Sequence, residues 1–242
     1  MKGAVEPYPD VESSSDAYAR RFAGAAGALF LARQEEAVLK ALGDKRNVSI
    51  LDVGGGHAQL SGPLAAAGHA VTVLGSDPAC AARLRLDARN AAVRFVEGDL
   101  LALPFEDRSF DTVVSIRLMA HIPDWKRFVA ELCRVARISV VVDYPELISL
   151  NALSMVTFGI KRMIERDTRP YRSFTEATLR REFACHGFGA RSNHRQFLLP
   201  MALHRAAKGA APLAGLERLA WKSGLSSRLG NPGLLRLDRS GG

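Results

Sequence analysis

Cysteine is scarce in this sequence. Cys80, Cys133 and Cys185 stand far apart, odd in number, with no CxxC pair. That argues against a disulfide framework and a cysteine-rich zinc site, and leaves small buried thiols. No metal site is expected. No run of eighteen apolar residues occurs, so no transmembrane helix is expected. The first sixteen residues, MKGAVEPYPDVESSSD, place proline, serine and acids where a signal peptide needs an apolar stretch. A soluble, cytoplasmic protein is the expectation. Aromatic residues make up only 7% of the chain, and no aromatic-basic stacking motif, zinc finger or helix-turn-helix pattern accompanies the basic residues. Nucleic acid is therefore disfavoured as a partner. Repeats and low-complexity segments are absent as well.

What is present suits one large α/β domain. Hydrophobic residues are 48% of the 242, enough for a sizeable core. Charge is divided unevenly. Residues 1–150 hold 17 Lys/Arg against 19 Asp/Glu, whereas residues 151–242 hold 16 against 6. A basic C-terminal third suits an acidic ligand, an anionic membrane surface or a solvated face.

Residues 1–16 read as a loose arm, and 17–42 as helix with Gly24 and Gly27 as candidate breaks. Apolar runs at 48–54, 70–76, 93–99, 110–119 and 138–145 suit buried parallel strands. Between them, 58–68, 79–90 and 124–136 read as helices, the last with Trp125, Phe128, Val129, Leu132 and Val135 on one stripe. Beyond Pro145 come an apolar helical segment over 146–164 and a polar loop. A helix over 175–187 follows, opened by Thr175 and closed by Gly187. A sixth strand from 188, helix over about 201–222 and a last strand at 233–239 complete the chain. Alternating strands and helices imply a Rossmann-like, doubly wound sheet.

Two stretches carry chemistry. In LDVGGGHAQL, Asp52 closes the first strand, and Gly54, Gly55 and Gly56 allow a sharp turn with close backbone approach to a ligand. The third strand ends in EGDLLALPFEDRSFD, where Gly98-Asp99 sets a carboxylate at the crevice edge of the sheet. Either alone is a weak signal, since glycine turns and capping acids are common.

Together with LMAHIPDWKRFVAELCRVA and ISVVVDYP, these segments resemble the class I S-adenosylmethionine-dependent methyltransferases over residues 47–145. Within them the chain looks most like the ubiquinone/menaquinone-biosynthesis branch. The resemblance implies a sheet of about seven strands ordered 3-2-1-4-5-7-6, the last antiparallel. The chain divides into an N-terminal arm and helical cap (1–46) and a methyltransferase domain (47–242), with 146–174 expected as a helical substrate lid. The resemblance implies S-adenosylmethionine as cofactor. Asp52, Gly54, Gly56 and His57 would lie beside its methionine part, with Ala58 where a third glycine is usual. Asp99 would accept from the adenine amino group with Leu100 beside the ring. Arg117 and Leu118 would close the pocket, and Tyr18 and Arg21 would fold over the cofactor carboxylate.

One position departs from the pattern. The acid that usually binds the ribose falls at Gly75, followed by Ser76 and Asp77. Ser76 or Asp77 swings in, water serves, or the cofactor differs. For the chemistry, His121 is the first candidate base, and Asp143 and Tyr144 are second candidates. The apolar segment after Pro145, with its basic neighbours, suits an amphiphilic acceptor or peripheral contact with an anionic membrane. The expected function is methyl transfer to a small, lipid-like or quinone-like molecule. An NAD(P)-linked oxidoreductase and a non-catalytic protein binding a partner through its basic third remain as alternatives. Nothing in the sequence sets the acceptor or the oligomeric state.

Overall fold

The computed structural model describes residues 8–43, 46–147, 171–199, 203–204 and 211–241. Its centre is one seven-stranded sheet. The strands are β1 (Ser49–Val53), β2 (Ala70–Gly75), β3 (Arg94–Glu97), β4 (Phe110–Ser115), β5 (Ala136–Tyr144), β6 (Phe188–Phe197) and β7 (Asn231–Arg239). Their spatial order is β3-β2-β1-β4-β5-β7-β6. The first five run parallel, and β7 is antiparallel to both β5 and β6. The order expected from the family resemblance is the order found.

The continuous apolar runs are explained by burial on both faces. On one face Leu51, Val53, Val113, Val140 and Val142 meet the helices α5 (Trp125–Val135) and α6 (Glu176–Cys185) through Phe128, Val129, Leu132, Leu179 and Phe183. On the other, Ile50, Val71, Val73, Val114 and Val141 meet α3 (Gly24–Leu42) and α4 (Ser61–Ala66) through Val38, Leu42 and Leu64. Neighbouring strand residues thus point into opposite layers, and a strand with helices on both sides has no polar face. Asp124 and Thr175 cap α5 and α6 by accepting from Arg127 N and Thr178 N, each satisfying a first-turn donor that the helix itself leaves unpaired.

Several sequence expectations change. Residues 79–90 form no α-helix but three 3-10 turns, Pro78–Ala81, Leu84–Leu86 and Ala88–Asn90. Asp77 and Asp87 start two of them by accepting from Ala79 N and Arg89 N, so the segment breaks into short capped pieces. Strand β4 stops at Ser115, and Met119–His121 is a 3-10 turn. The N-terminal helix breaks at Ala23-Gly24, not at Gly27. Gly27 lies within α3, where a Cβ would fall 2.1 Å from Phe22 O.

The largest correction is at the N-terminus. Residues 8–16 are no loose arm: α1 (Pro9–Ser13) packs against the turns that follow β1 and β2, α2 (Asp16–Ala19) continues from it, and Asp10 and Ser14 are buried. At the C-terminus, α7 (Ala211–Lys222) and α8 (Leu225–Leu229) precede β7. Of the lid expected at 146–174, residues 148–170 lie outside the described residues. Among the described residues, no helix is long and apolar enough to cross a membrane, and no three His, Cys, Asp or Glu side chains cluster as metal ligands.

Candidate functional site

The sheet order reverses between β1 and β4, and the crevice beyond their carboxyl ends is where such folds place ligands. The carboxyl ends of the five parallel strands meet there. After β1, Gly54 takes φ +76°, and Gly55–His57 forms a 3-10 turn. Leu118 lies so close that a Cβ on Gly54 would sit 2.6 Å from its Cδ2. A residue with a side chain is therefore strained there on both backbone and packing grounds. Ala58, in place of a third glycine, also adopts the left-handed region, φ 63°.

After β4, Arg117 holds the left-handed φ of 62°. Asp143, at the end of β5, secures that turn. Its Oδ1 accepts from Arg117 N at 2.6 Å and its Oδ2 from Gln34 Nε2 at 3.0 Å. Burial pushes Asp143 up to about 6, opposed by the hydrogen bond from Arg117 N. Burial likewise raises Asp52 to about 7, opposed by the Arg117 charge. The Arg117 guanidinium lies over the Phe22 ring at 4.9 Å and the Tyr18 ring at 5.9 Å. Its Nη1 is buried with no hydrogen-bond partner among the described residues.

His57 is buried beneath Tyr18 and Phe22, both packed edge-on. Desolvation, then the Arg117 and Arg83 charges, push it down to about 3, so its imidazole is neutral near pH 7. Neither ring nitrogen has a hydrogen-bond partner among the described residues. Orphaned polar atoms on His57 and Arg117, next to a glycine cradle, fit a ligand with a carboxylate or other acceptor groups.

Beside this cradle lies a cavity of about 400 Å³, lined by Tyr18, Arg21, Phe22, Phe30, Arg117, Ala120, His121, Asp143, Tyr144, Pro145, Tyr171 and Pro232. It unites Tyr18, Arg21, Arg117, His121, Asp143 and Tyr144 of the sequence candidates. His121 packs edge-on to Tyr171, ring centres 5.5 Å apart. Arg21 lies over the Tyr18 ring at 5.1 Å and pairs with Glu12 at 3.0 Å. Tyr144 is fully buried, and its hydroxyl accepts from Asn193 Nδ2 at 2.9 Å and approaches Glu146 at 3.3 Å. Burial, reinforced by Glu146 and Glu176, pushes that phenol well above its ordinary value.

The other candidates lie outside this cavity, at the ends of β2 and β3 and in the turns that follow them. Asp99 accepts from Leu101 N at 2.8 Å, and Leu100 is fully buried. Gly75 has a packing reason: a Cβ there would lie 2.5 Å from Cys80 Cβ and 3.0 Å from Phe95 Cε2. An acid at that position has no room. Asp77 is exposed, and its carboxylate caps Ala79 N at 2.8 Å.

A carboxylate nevertheless reaches this strand end, from a residue that sequence reading passed over. Asp10 of α1 accepts from Ser76 N at 2.7 Å and Ser76 Oγ at 2.6 Å, and Cys80 Sγ lies 3.5 Å from its Oδ2. Burial, then the Asp10 charge, push the Cys80 thiol up to about 11. Tyr8 donates to Asp99 Oδ1 at 2.8 Å, which together with partial burial raises the Tyr8 phenol. Only the run of Asp10, Glu12 and Ser14 hinted at a short helix, and no local pattern says where such a helix docks.

Known proteins agree with this geometry. Residues 51–140 match the family model described as a methyltransferase domain. The chain is 34% identical over 109 residues to a demethylmenaquinone methyltransferase of Thermus thermophilus, covering 42% of this chain and 50% of that protein. It is 34% identical over 100 residues to a phthiotriol/phenolphthiotriol dimycocerosates methyltransferase of Mycobacterium leprae, covering 40% of this chain and 37% of that one. The chain thus spans half or less of the length of these curated relatives. Among solved structures, the magnesium protoporphyrin IX methyltransferase of Synechocystis with bound S-adenosylhomocysteine superposes with a TM-score of 0.65 at 16% identity, covering 94% of this chain and 96% of that one. Residues 51–140 thus match a methyltransferase domain, and the sheet order is that of the class I S-adenosylmethionine-dependent methyltransferase fold.

Proposed function

We propose that this protein transfers a methyl group from S-adenosylmethionine to a small, apolar, aromatic acceptor of quinol or lipid-linked phenol type. The observation that carries this reading is the 400 Å³ cavity, which joins the charged ends of β4 and β5 to a wall of aromatic rings. The names of the two relatives, one for demethylmenaquinone and one for phthiotriol and phenolphthiotriol dimycocerosates, support an acceptor of that kind.

The bound cofactor supplies an electrophilic methyl group on a sulfonium. Toward it, Asp52, Gly54, Gly55, Gly56 and His57 form the floor, and Leu118 limits its depth. Arg117 Nη1, with Tyr18 and Arg21, takes the amino-acid carboxylate. Asp99 and Leu100 serve the adenine, and Ser76 is the nearest hydroxyl to the ribose position beyond Gly75. Asp77 is the weaker ribose candidate, since its carboxylate already has a backbone partner. Asp143 acts as a positioning residue, because both its oxygens hold other groups. Tyr144 serves as wall rather than base, its raised phenol retaining its proton near neutral pH.

His121 is the group left to remove a proton from a phenolic acceptor. Its ring faces the cavity beside Tyr171. Alignment and exclusion of water supply the remainder of the rate. An NAD(P)-linked oxidoreductase fits less well, because the antiparallel β7 inserted between β5 and β6 departs from the 3-2-1-4-5-6 order of dinucleotide sheets.

Calorimetry with S-adenosylhomocysteine and NAD, followed by labelled-methyl transfer to a panel of quinols and alkyl phenols, tests the reading. Binding of the sulfur cofactor alone is expected. For the His121→Asn variant, kcat is expected to fall by about 100-fold with S-adenosylhomocysteine affinity retained. No heat with the sulfur cofactor, or no transfer to any phenol or quinol, refutes it.

A further inference from the structure

The first described residues of the chain lie across the positions a cofactor needs. Tyr8 Oη is 2.8 Å from Asp99 Oδ1, the adenine position. The Asp10 carboxylate holds both donors of Ser76, at the ribose position after Gly75. Ser14 Oγ lies on the glycine cradle, 2.1 Å from where a Cβ on Gly56 would stand. Asp10 Cβ lies over the first glycine of the cradle, 3.6 Å from a Cβ built on Gly54. Asp10 and Ser14 are buried, 0% and 4% exposed. On the cofactor reading given above, α1 stands on the groups that adenine, ribose and amino-acid tail would use.

We propose that residues 8–14 are an internal occupant of the cofactor cleft, which S-adenosylmethionine displaces when it binds. The proposal rests on the cofactor reading given above. The segment is built for release. Helix α1 has five residues, too few to be stable without the surface beneath it. Much of its hold on the cleft is polar: the Tyr8 hydroxyl, the Asp10 carboxylate and the Ser14 hydroxyl, which is itself bonded back to Asp10 O at 2.6 Å, while the Tyr8 ring packs on the core and Glu12 pairs with Arg21. Each of those groups finds water when it leaves. A separate capped turn follows, Ser15 accepting from Tyr18 N at 3.1 Å, so 8–14 can swing away while Tyr18 and Arg21 stay near the cavity. The apparent affinity for cofactor is then the intrinsic affinity reduced by the fraction of molecules with the cleft open.

The test turns on a sign. In Asp10→Ala and Tyr8→Phe the segment is held less well, and S-adenosylhomocysteine should bind several-fold more tightly than in the wild type by calorimetry. The alternative is that Asp10 itself holds the ribose, in which case Asp10→Ala weakens binding and overturns the proposal. Hydrogen exchange of the wild-type protein gives an independent reading. The amides of Ser14 and Ser15 are bonded to Asp10 O and Glu12 O, both at 2.9 Å. They should lose protection when S-adenosylhomocysteine is added, and unchanged or increased protection with bound ligand counts against displacement. A cooperative melt of each variant without ligand confirms that it folds. If wild type and variants all melt cooperatively and none binds the sulfur cofactor, the cofactor reading falls and this proposal with it. Binding without displacement removes this proposal alone.

Discussion

The two halves of the crevice make an instructive contrast. Both lie at the carboxyl edge of the same sheet, one over β1–β3 and the other over β4 and β5. The first is filled by the chain itself, through Tyr8, Asp10 and Ser14. The second is an open cavity of about 400 Å³ walled by aromatic rings and by Arg117, His121 and Asp143. The filled half offers hydrogen-bonding groups, Asp99 and Ser76, which here are satisfied by Tyr8 and Asp10. The open half offers apolar rings and buried ionisable groups, which no segment of the described chain covers. Arg117 stands at the junction, within electrostatic reach of Asp52 on one side and Asp143 on the other.

Arg117→Met should break the contrast most severely. It removes the cation with the orphaned Nη1, and a charge-assisted hydrogen bond is worth ~1.5–3 kcal/mol. Affinity for S-adenosylhomocysteine should fall by about 10- to 100-fold, measured by calorimetry. Unchanged affinity removes Arg117 from the cofactor site.

Asp143→Asn should follow. The amide cannot accept from both Gln34 Nε2 and Arg117 N, so one buried donor loses its partner, at a cost of about 1–3 kcal/mol. Relief of the burial penalty on the carboxylate offsets part of this. Chemical denaturation reads the stability loss. Cofactor affinity should fall too, because the left-handed turn at Arg117 loses its anchor.

The last effect, read as a slope against pH, concerns His57. Its folded-state value is depressed from 6.5 to about 3, so the unfolded chain binds its proton first. Its contribution to stability is therefore present above about pH 6.5 and lost as pH falls toward 3. Asp52 and Asp143, raised to about 7 and about 6, act in the opposite sense, favouring the folded state at lower pH. Comparing His57→Gln with wild type isolates the histidine. The variant should lose less stability between pH 6.5 and 4 in urea titrations, and identical slopes contradict the neutral, buried imidazole.

The parts of this protein that could be read from the sequence are those in which neighbours along the chain act together. The glycines after Asp52 and the Gly98-Asp99 pair announce strand ends through local backbone needs. The Trp125–Val135 stripe announces a helix through its period. Segment 79–90 misled because helical composition lost to local capping by Asp77 and Asp87. The left-handed turn at Arg117 left no local trace. Its support comes from Asp143, 26 residues away in the chain.

The missing acid at Gly75 divides the two kinds of information most clearly. The sequence by itself determined that this strand end carries no carboxylate. It also carried the resemblance that names the cofactor, because Asp52, the glycines and Asp99 each act within a few residues of their own strand. Only the tertiary structure decided why glycine stands there, since Cys80 and Phe95 occupy the space a side chain would need. It alone decided that a carboxylate reaches Ser76 after all, from Asp10, 66 residues earlier. Contacts across such separations depend on packing and hydrogen-bond satisfaction in the folded molecule, and no short stretch of sequence encodes them.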